Sequence, residues 1–196
     1  MHKLARTAAL AIVMAVCLFS TVPCGGENSL PEQWSPAEGT ELIGHQVPEF
    51  SGLKWLNTAP MSMQSLRGKV VLIRFWLIDC PFCSGSADAL NQIYEKYRNK
   101  GLVVIGIHHP KSDAARESER VLAGAKKLQF TFPIAQDNDW QTIRSFWLVK
   151  KRGYTSASLL IDKTGQIRWV HDGGTLPLDS PAYRNLDKEV QLLTGA

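Results

Sequence analysis

The chain has 196 residues, of which 44% are hydrophobic and 20% charged, a balance too apolar for a disordered polypeptide and a length suited to one globular domain. Its formal net charge is +4, falling to about +2 if a leader carrying Lys3 and Arg6 is removed, which is no footprint of a nucleic-acid binder. Four cysteines, with no second Cys pair or Cys/His pair at zinc-finger spacing, exclude a small disulfide scaffold and direct attention to redox chemistry.

The chain begins with an address. Lys3 and Arg6 form a basic start, and Ala8 to Phe19 is an uninterrupted apolar run too short to span a bilayer comfortably. Residues 1–26 therefore read as an export signal. The alternative is an uncleaved N-terminal anchor, because the following Thr21-Val22-Pro23-Cys24-Gly25-Gly26 lacks a clean small-x-small cleavage site. Both readings export the remainder of the chain. Cys24 stands where a lipoprotein signal places its lipidated cysteine, although Thr21-Val22-Pro23 before it matches such a signal poorly. Cys17 lies inside the apolar run as a small hydrophobe. Residues 27–41, rich in Pro, Gly, Ser and Glu, read as a flexible linker, with the folded domain expected over 42–196.

Val70 to Ile78 is an almost continuous β-branched and aromatic run, the pattern of a strand buried on both faces, and Leu102 to Ile107 repeats it. Between them, Ser84 to Lys100 sets Ala87, Leu90, Ile93, Tyr94 and Tyr97 on one helical stripe. This predicts a β-α-β unit. Ser112 to Gln129 carries Val121, Ala125 and Leu128 on one face of a second, charged helix. Leu159-Leu160-Ile161 and Ile167-Arg168-Trp169-Val170 flank the turn-forming Asp162-Lys163-Thr164-Gly165, predicting a hairpin. Ser180-Pro181 supplies an N-cap and an N1 proline for a closing helix with Leu186, Val190 and Leu193 inward.

The residues with chemistry to offer are Cys80-Pro81-Phe82-Cys83, directly after the first buried strand and at the start of the first helix. A thiol at a helix N-terminus has its thiolate favoured by the helix dipole and free N–H groups. Asp79 beside it opposes that effect. Two intervening residues let the pair close a disulfide, so Cys80 can attack a substrate disulfide and Cys83 can resolve the mixed disulfide. An inert disulfide or half a metal site is the plainer alternative. A further one is a redox-inactive or copper-handling protein in which Cys80, Cys83 and His108 hold a soft metal. His108-His109 otherwise reads as a plain loop pair. Trp140, Trp147 and Trp169 read as core or rim residues, and Lys126-Lys127 and Lys150-Lys151-Arg152 as solvated faces.

The chain resembles the thioredoxin superfamily, specifically the exported, membrane-tethered redoxins of the TlpA and ResA type. The residues carrying the resemblance are Ile43-Gly44-His45-Gln46-Val47-Pro48-Glu49-Phe50, Leu66-Arg67-Gly68-Lys69-Val70-Val71-Leu72, Phe75-Trp76 followed by Cys80-x-x-Cys83, Gly101 to Gly106, and Leu160 to Gly165. It implies an α/β, thioredoxin-like fold with a mixed central β-sheet of four to five strands flanked by α-helices. It also implies thiol–disulfide exchange in the periplasm or cell envelope with protein disulfide or dithiol substrates, an envelope or membrane electron donor, and neither cofactor nor metal. Trp76 then packs beside the cysteines. Pro81 and Phe82 resemble the middle pair of glutaredoxins, pointing to a couple less reducing than thioredoxin's, about −270 mV.

Two positions depart from that family. Ser156 stands where relatives carry a cis-proline; a cis bond before a non-proline costs about 2.5–4 kcal/mol, so a trans peptide and a reshaped loop are expected. Arg74 stands where many thioredoxins bury an acid that deprotonates the resolving cysteine. A cation there favours thiolate without accepting a proton, unless it snorkels to the sheet edge. A peroxidase-type redoxin is disfavoured, because Leu77, Ile78 and Asp79 replace the threonine expected shortly before a peroxidatic cysteine.

Overall fold

The computed structural model describes residues 38–196. The expected export signal over residues 1–26, Cys17, Cys24 and most of the expected linker lie outside the described residues. The carboxylate of Glu38 accepts from Gly153 N at 2.8 Å. Thr40–Leu42 forms a turn of 3-10 helix. Among the described residues no helix is long and apolar enough to cross a membrane.

The strands are β1 (Lys54–Trp55), β2 (Val70–Trp76), β3 (Leu102–His108), β4 (Ile134–Gln136), β5 (Ser158–Ile161) and β6 (Ile167–His171). The helices are α1 (Pro81–Ser84), α2 (Ala87–Tyr97), α3 (Ser118–Lys127), α4 (Gln141–Phe146) and α5 (Pro181–Thr194). They build one mixed sheet in the order β1-β4-β3-β2-β5-β6. β2 runs parallel to β3, which runs parallel to β4. The hairpin β5–β6 lies antiparallel on the other side of β2, and β1 is antiparallel to β4. The thioredoxin-like, mixed sheet with flanking helices is as expected, with six strands rather than four or five. The additions to the predicted strands are the two shortest, β1 and β4.

Because side chains alternate along a strand, β2 serves two cores. Val70, Leu72 and Trp76 face Leu90 and Ile93 of α2, Val121 of α3, and Leu186 and Val190 of α5. Val71, Ile73 and Phe75 face Ile143, Phe146 and Trp147. Arg74 is on the first of these faces by its register. Both faces are covered by apolar groups, which explains why β2 reads as a continuous apolar run.

The helix predicted over Ser84 to Lys100 is divided. Gly85 lies against the segment after β6: a Cβ there would meet Thr175 Cγ2 at 2.6 Å. Beside it, Ser86 turns its hydroxyl back to donate to the Phe82 carbonyl at 2.7 Å while accepting from Leu176 N at 2.8 Å. Such a side-chain bond competes with the helical ladder, and α1 is left as a single turn. The helix predicted over Ser112 to Gln129 is likewise a 3-10 turn (Asp113–Arg116) followed by α3, with extended Glu117 between them. The closing helix begins as predicted, with Ser180 Oγ accepting from Tyr183 N at 3.1 Å.

Candidate active site

β2 ends at Trp76, two residues short of the predicted strand. Asp79 then adopts a left-handed φ of 57°, a conformation that aspartate tolerates better than most residues. The chain turns sharply there and delivers Cys80 as the N-cap of α1, Pro81 at its first position and Cys83 in its only turn. Cys83 N and Ser84 N both donate to the Cys80 carbonyl, at 3.0 and 3.1 Å. Both cysteines are free; Cys80 is partly exposed, whereas Cys83 is 1% exposed.

Two depressions flank Cys80. One, of about 260 Å³, is bounded by Trp76, Ile78, Cys80, Pro81, Gly124 and Leu128. Trp76 is thus beside the cysteine turn and fully buried, meeting Phe130 and His108 edge to face. The other, of about 330 Å³, lies between Cys80, Pro81, Phe82, Lys111, Tyr154 and Ser156. Its rim is aromatic: Phe82 and Tyr154 are both exposed and meet edge to face with centroids 5.4 Å apart. Gly173, at φ 123°, allows the close approach of Tyr154, whose Cβ would lie 2.2 Å from a side chain at that position. Ser156 is buried at the base of the groove just before β5, and every peptide bond among the described residues is trans.

Beneath α1 lies a polar row. In register across the sheet stand Arg74 of β2, Ser158 of β5 and His171 of β6. Arg74 is fully buried, which corrects the expectation that it snorkels to the sheet edge; its position in the middle of a central strand leaves no route to solvent. Its guanidinium donates to Ser158 Oγ at 3.2 Å, Ser86 Oγ at 3.3 Å and the Gly174 carbonyl at 3.3 Å. Burial pushes the Cys83 thiol up to about 11, and the neighbouring charge of Arg74 opposes that rise. His171 is held near 4 by burial and by Arg74.

His108 and His109 are not a loop pair. β3 extends through His108, paired with Trp76, and His109 N donates to the Trp76 carbonyl at 3.2 Å. Both imidazoles are fully buried on opposite faces, His109 lying 5.0 Å from the Trp140 ring. Neither ring has a hydrogen-bond partner among the described residues, and burial lowers His108 to about 4 and His109 to about 3. Among the described residues no three His, Cys, Asp or Glu side chains cluster as metal ligands. Trp147 is buried, Trp169 nearly so, and Trp140 lies at the rim, while Lys126, Lys127, Lys150 and Lys151 are exposed, all as expected; Arg152, expected on the same solvated face as Lys150 and Lys151, is instead tucked in, its guanidinium 4.7 Å from the Trp147 ring and paired with Glu41. Ser86, Gly174, His171, Lys111 and Tyr154 were not singled out by sequence as parts of this site; they arrive through register and long-range contacts.

Comparison with known proteins agrees with this architecture. Residues 43–170 match the family model described as the AhpC/TSA family. DipZ of Mycobacterium bovis is 38% identical over 131 residues, 65% of this chain but 18% of DipZ; the chain thus spans less than a fifth of that relative. The thiol-disulfide oxidoreductase YkuV of Bacillus subtilis is 32% identical over 130 residues, 66% of this chain and 84% of YkuV. A thiol:disulfide interchange protein of the thioredoxin family from Chlorobium tepidum superposes with a TM-score of 0.61 at 22% identity, covering 76% of this chain and 96% of that one. This last likeness shows the fold, and the family match together with YkuV shows the kinship: the chain belongs to the AhpC/TSA family of redoxins, within the thioredoxin-like superfamily.

Proposed function

We propose that this protein is an exported thiol–disulfide oxidoreductase that exchanges disulfides with proteins through Cys80 and Cys83. The observation that carries the reading is the unequal placement of the two thiols: Cys80 opens onto a groove and Cys83 is buried directly behind it in the same turn. An accessible thiolate attacks a substrate sulfur, and the buried partner then displaces the substrate by attacking Cys80. Trp76, Pro81, Phe82 and Ser156 shape the site. The aromatic rim of Phe82 and Tyr154 with Lys111 nearby suits a polypeptide segment carrying an apolar residue near its disulfide. YkuV's name supports the same activity.

Reduced protein is expected to reduce insulin in the presence of dithiothreitol, and alkylation under native conditions is expected to label Cys80 first and abolish the activity. Labelling of Cys83 ahead of Cys80, or full activity after Cys80 is blocked, overturns the assignment.

Export and a membrane tether rest on Lys3, Arg6 and the apolar run after them. On this reading the domain, residues 42–196, works in the periplasm or cell envelope and draws electrons from an envelope or membrane donor. A reporter active only in the cytosol, fused after Phe50, is expected to be inactive; an active fusion removes this half of the proposal.

A further inference from the structure

A guanidinium stays charged inside a protein, and a buried charge is costly unless something of opposite sign comes to it. Arg74 is fully buried, yet among the described residues it makes no ion pair; its three hydrogen-bond partners, Ser158, Ser86 and Gly174, are neutral. Its Nε has no hydrogen-bond partner among the described residues. The side chain is held from three directions, by β5, by the α1–α2 junction and by the segment after β6. Cys83 stands at that junction, its carbonyl accepting from the N–H of Ser86, the residue whose hydroxyl Arg74 holds, at 3.2 Å, and its sulfur is the group whose charge bears most on the guanidinium. The other titratable groups around this pair are Cys80, His171 and His109. Both imidazoles are kept neutral by burial in ordinary conditions, so neither supplies the missing anion.

We propose that Arg74 is a positioning residue for the second half of the exchange, a fixed cation held to receive the Cys83 thiolate once Cys80 has been taken up in a mixed disulfide with substrate. The inference rests on Cys80 being the attacking thiol. In the free dithiol, Cys80 itself opposes ionisation of Cys83, through a hydrogen bond and through its charge. Mixed-disulfide formation removes both influences, leaving burial opposed by Arg74 and by the Leu77 N–H. Arg74 cannot accept the proton, which passes to water. The Cys83 thiolate then attacks Cys80 Sγ; the Cys80–substrate S–S bond breaks as the Cys80–Cys83 S–S bond forms. The bonding pair leaves on the substrate sulfur, which takes up a proton from water. Two thiols have been oxidised and one substrate disulfide reduced, with no further reagent. Substrate engagement thereby arms the resolving thiol, where an acid at the same position would work by taking its proton.

The test uses the full chain, reduced, mixed with dithiobis(nitrobenzoate). The first nitrothiobenzoate released reports attack by Cys80, and the second reports resolution by Cys83. An opposite charge at close range shifts a pKa by about 1–3 units, and each unit is about tenfold in thiolate fraction. Arg74→Met is therefore expected to leave the first release within about twofold, to slow the second about tenfold or more, and to move its pH midpoint up by about one unit or more. Arg74→Lys restores part of both. Unchanged rate and midpoint for the second release in folded Arg74→Met overturns the proposal. If that variant does not fold, the wild type decides alone: the midpoint of the second release must lie at least about one unit below that of Cys83 in the free dithiol, read from thiolate ultraviolet absorbance. Equal midpoints overturn it. A first release that survives Cys80→Ser strikes instead at the proposed order of attack, so the two failures are distinguishable.

Discussion

Cys80→Ser is expected to lose all disulfide exchange, whereas Cys83→Ser should complete one attack and stop, accumulating one equivalent of protein joined to substrate through Cys80. The difference follows from access. Cys80 is the N-cap of α1, beside both depressions, and Cys83 is sealed beneath it. A serine hydroxyl at residue 80 presents no thiolate, so no mixed disulfide forms and the buried Cys83 cannot reach a protein substrate in its place. A serine at residue 83 leaves the attack intact but removes the group that releases the substrate. Mass spectrometry of the two variants after incubation with an oxidised peptide checks both halves. A covalent adduct on Cys80→Ser, or continued turnover by Cys83→Ser, contradicts the division of labour.

The second large effect is on stability in mild acid. His108 and His109 titrate near 4 and 3 in the folded protein because burial disfavours their charged forms, while unfolded histidine titrates near about 6.5. As pH falls below about 6.5 the unfolded chain binds protons on these two rings that the folded chain refuses, so the unfolded state gains. Their contribution is whole above that pH and is lost progressively as pH falls towards the folded values. By pH 5 the loss is about 2 kcal/mol for each ring, and His171, also held near 4, adds about as much, so about 6 kcal/mol in all, a large part of the 5–15 kcal/mol that typically holds a domain together. Asp137 acts with the opposite sign: burial raises its carboxyl in the folded state, which favours folding towards low pH and blunts the slope. Urea unfolding at pH 7 and pH 5 measures the difference. In His109→Phe, whose ring keeps the edge contacts with Phe75 and Trp140, the pH-dependent loss should fall by about a third, because His108 and His171 remain. An unchanged slope removes the histidines as its cause.

What could be read from the amino-acid sequence was whatever is encoded locally. β2 and β3 are long apolar runs, and the hairpin of β5 and β6 is marked by Asp162 to Gly165, where Asp162 Oδ1 accepts from Thr164 N and Gln166 N. The two cysteines and the Trp76 before them are contiguous. β1, β4 and α4 span two, three and six residues, too short for a period to declare itself. The start of α4 depends on buried Asp137, whose carboxylate accepts from Ile143 N at 2.8 Å, after Trp140 has taken a left-handed φ of 60°. The break between α1 and α2 was invisible because Thr175 and Leu176 cause it. The same holds for the site: Arg74 was noticed as a departure, but its burial and its neutral partners are set by strand register and by Gly174, a hundred positions away. His108 and His109 looked like loop residues because the apolar run stops at Ile107, whereas the sheet continues one residue further and helices cover both faces.

The hydroxyl of Ser86 ties the cysteine turn to Leu176, ninety positions later. The hierarchy of the two thiols is therefore a tertiary property and not one of the Cys80–Cys83 turn alone. Cys80 and Cys83 precede by about ninety positions the segment that holds their turn from behind, through Leu176 N on Ser86 and the Gly174 carbonyl on Arg74. The distinction between attacker and resolver thus depends on a distant segment of the chain closing over the turn.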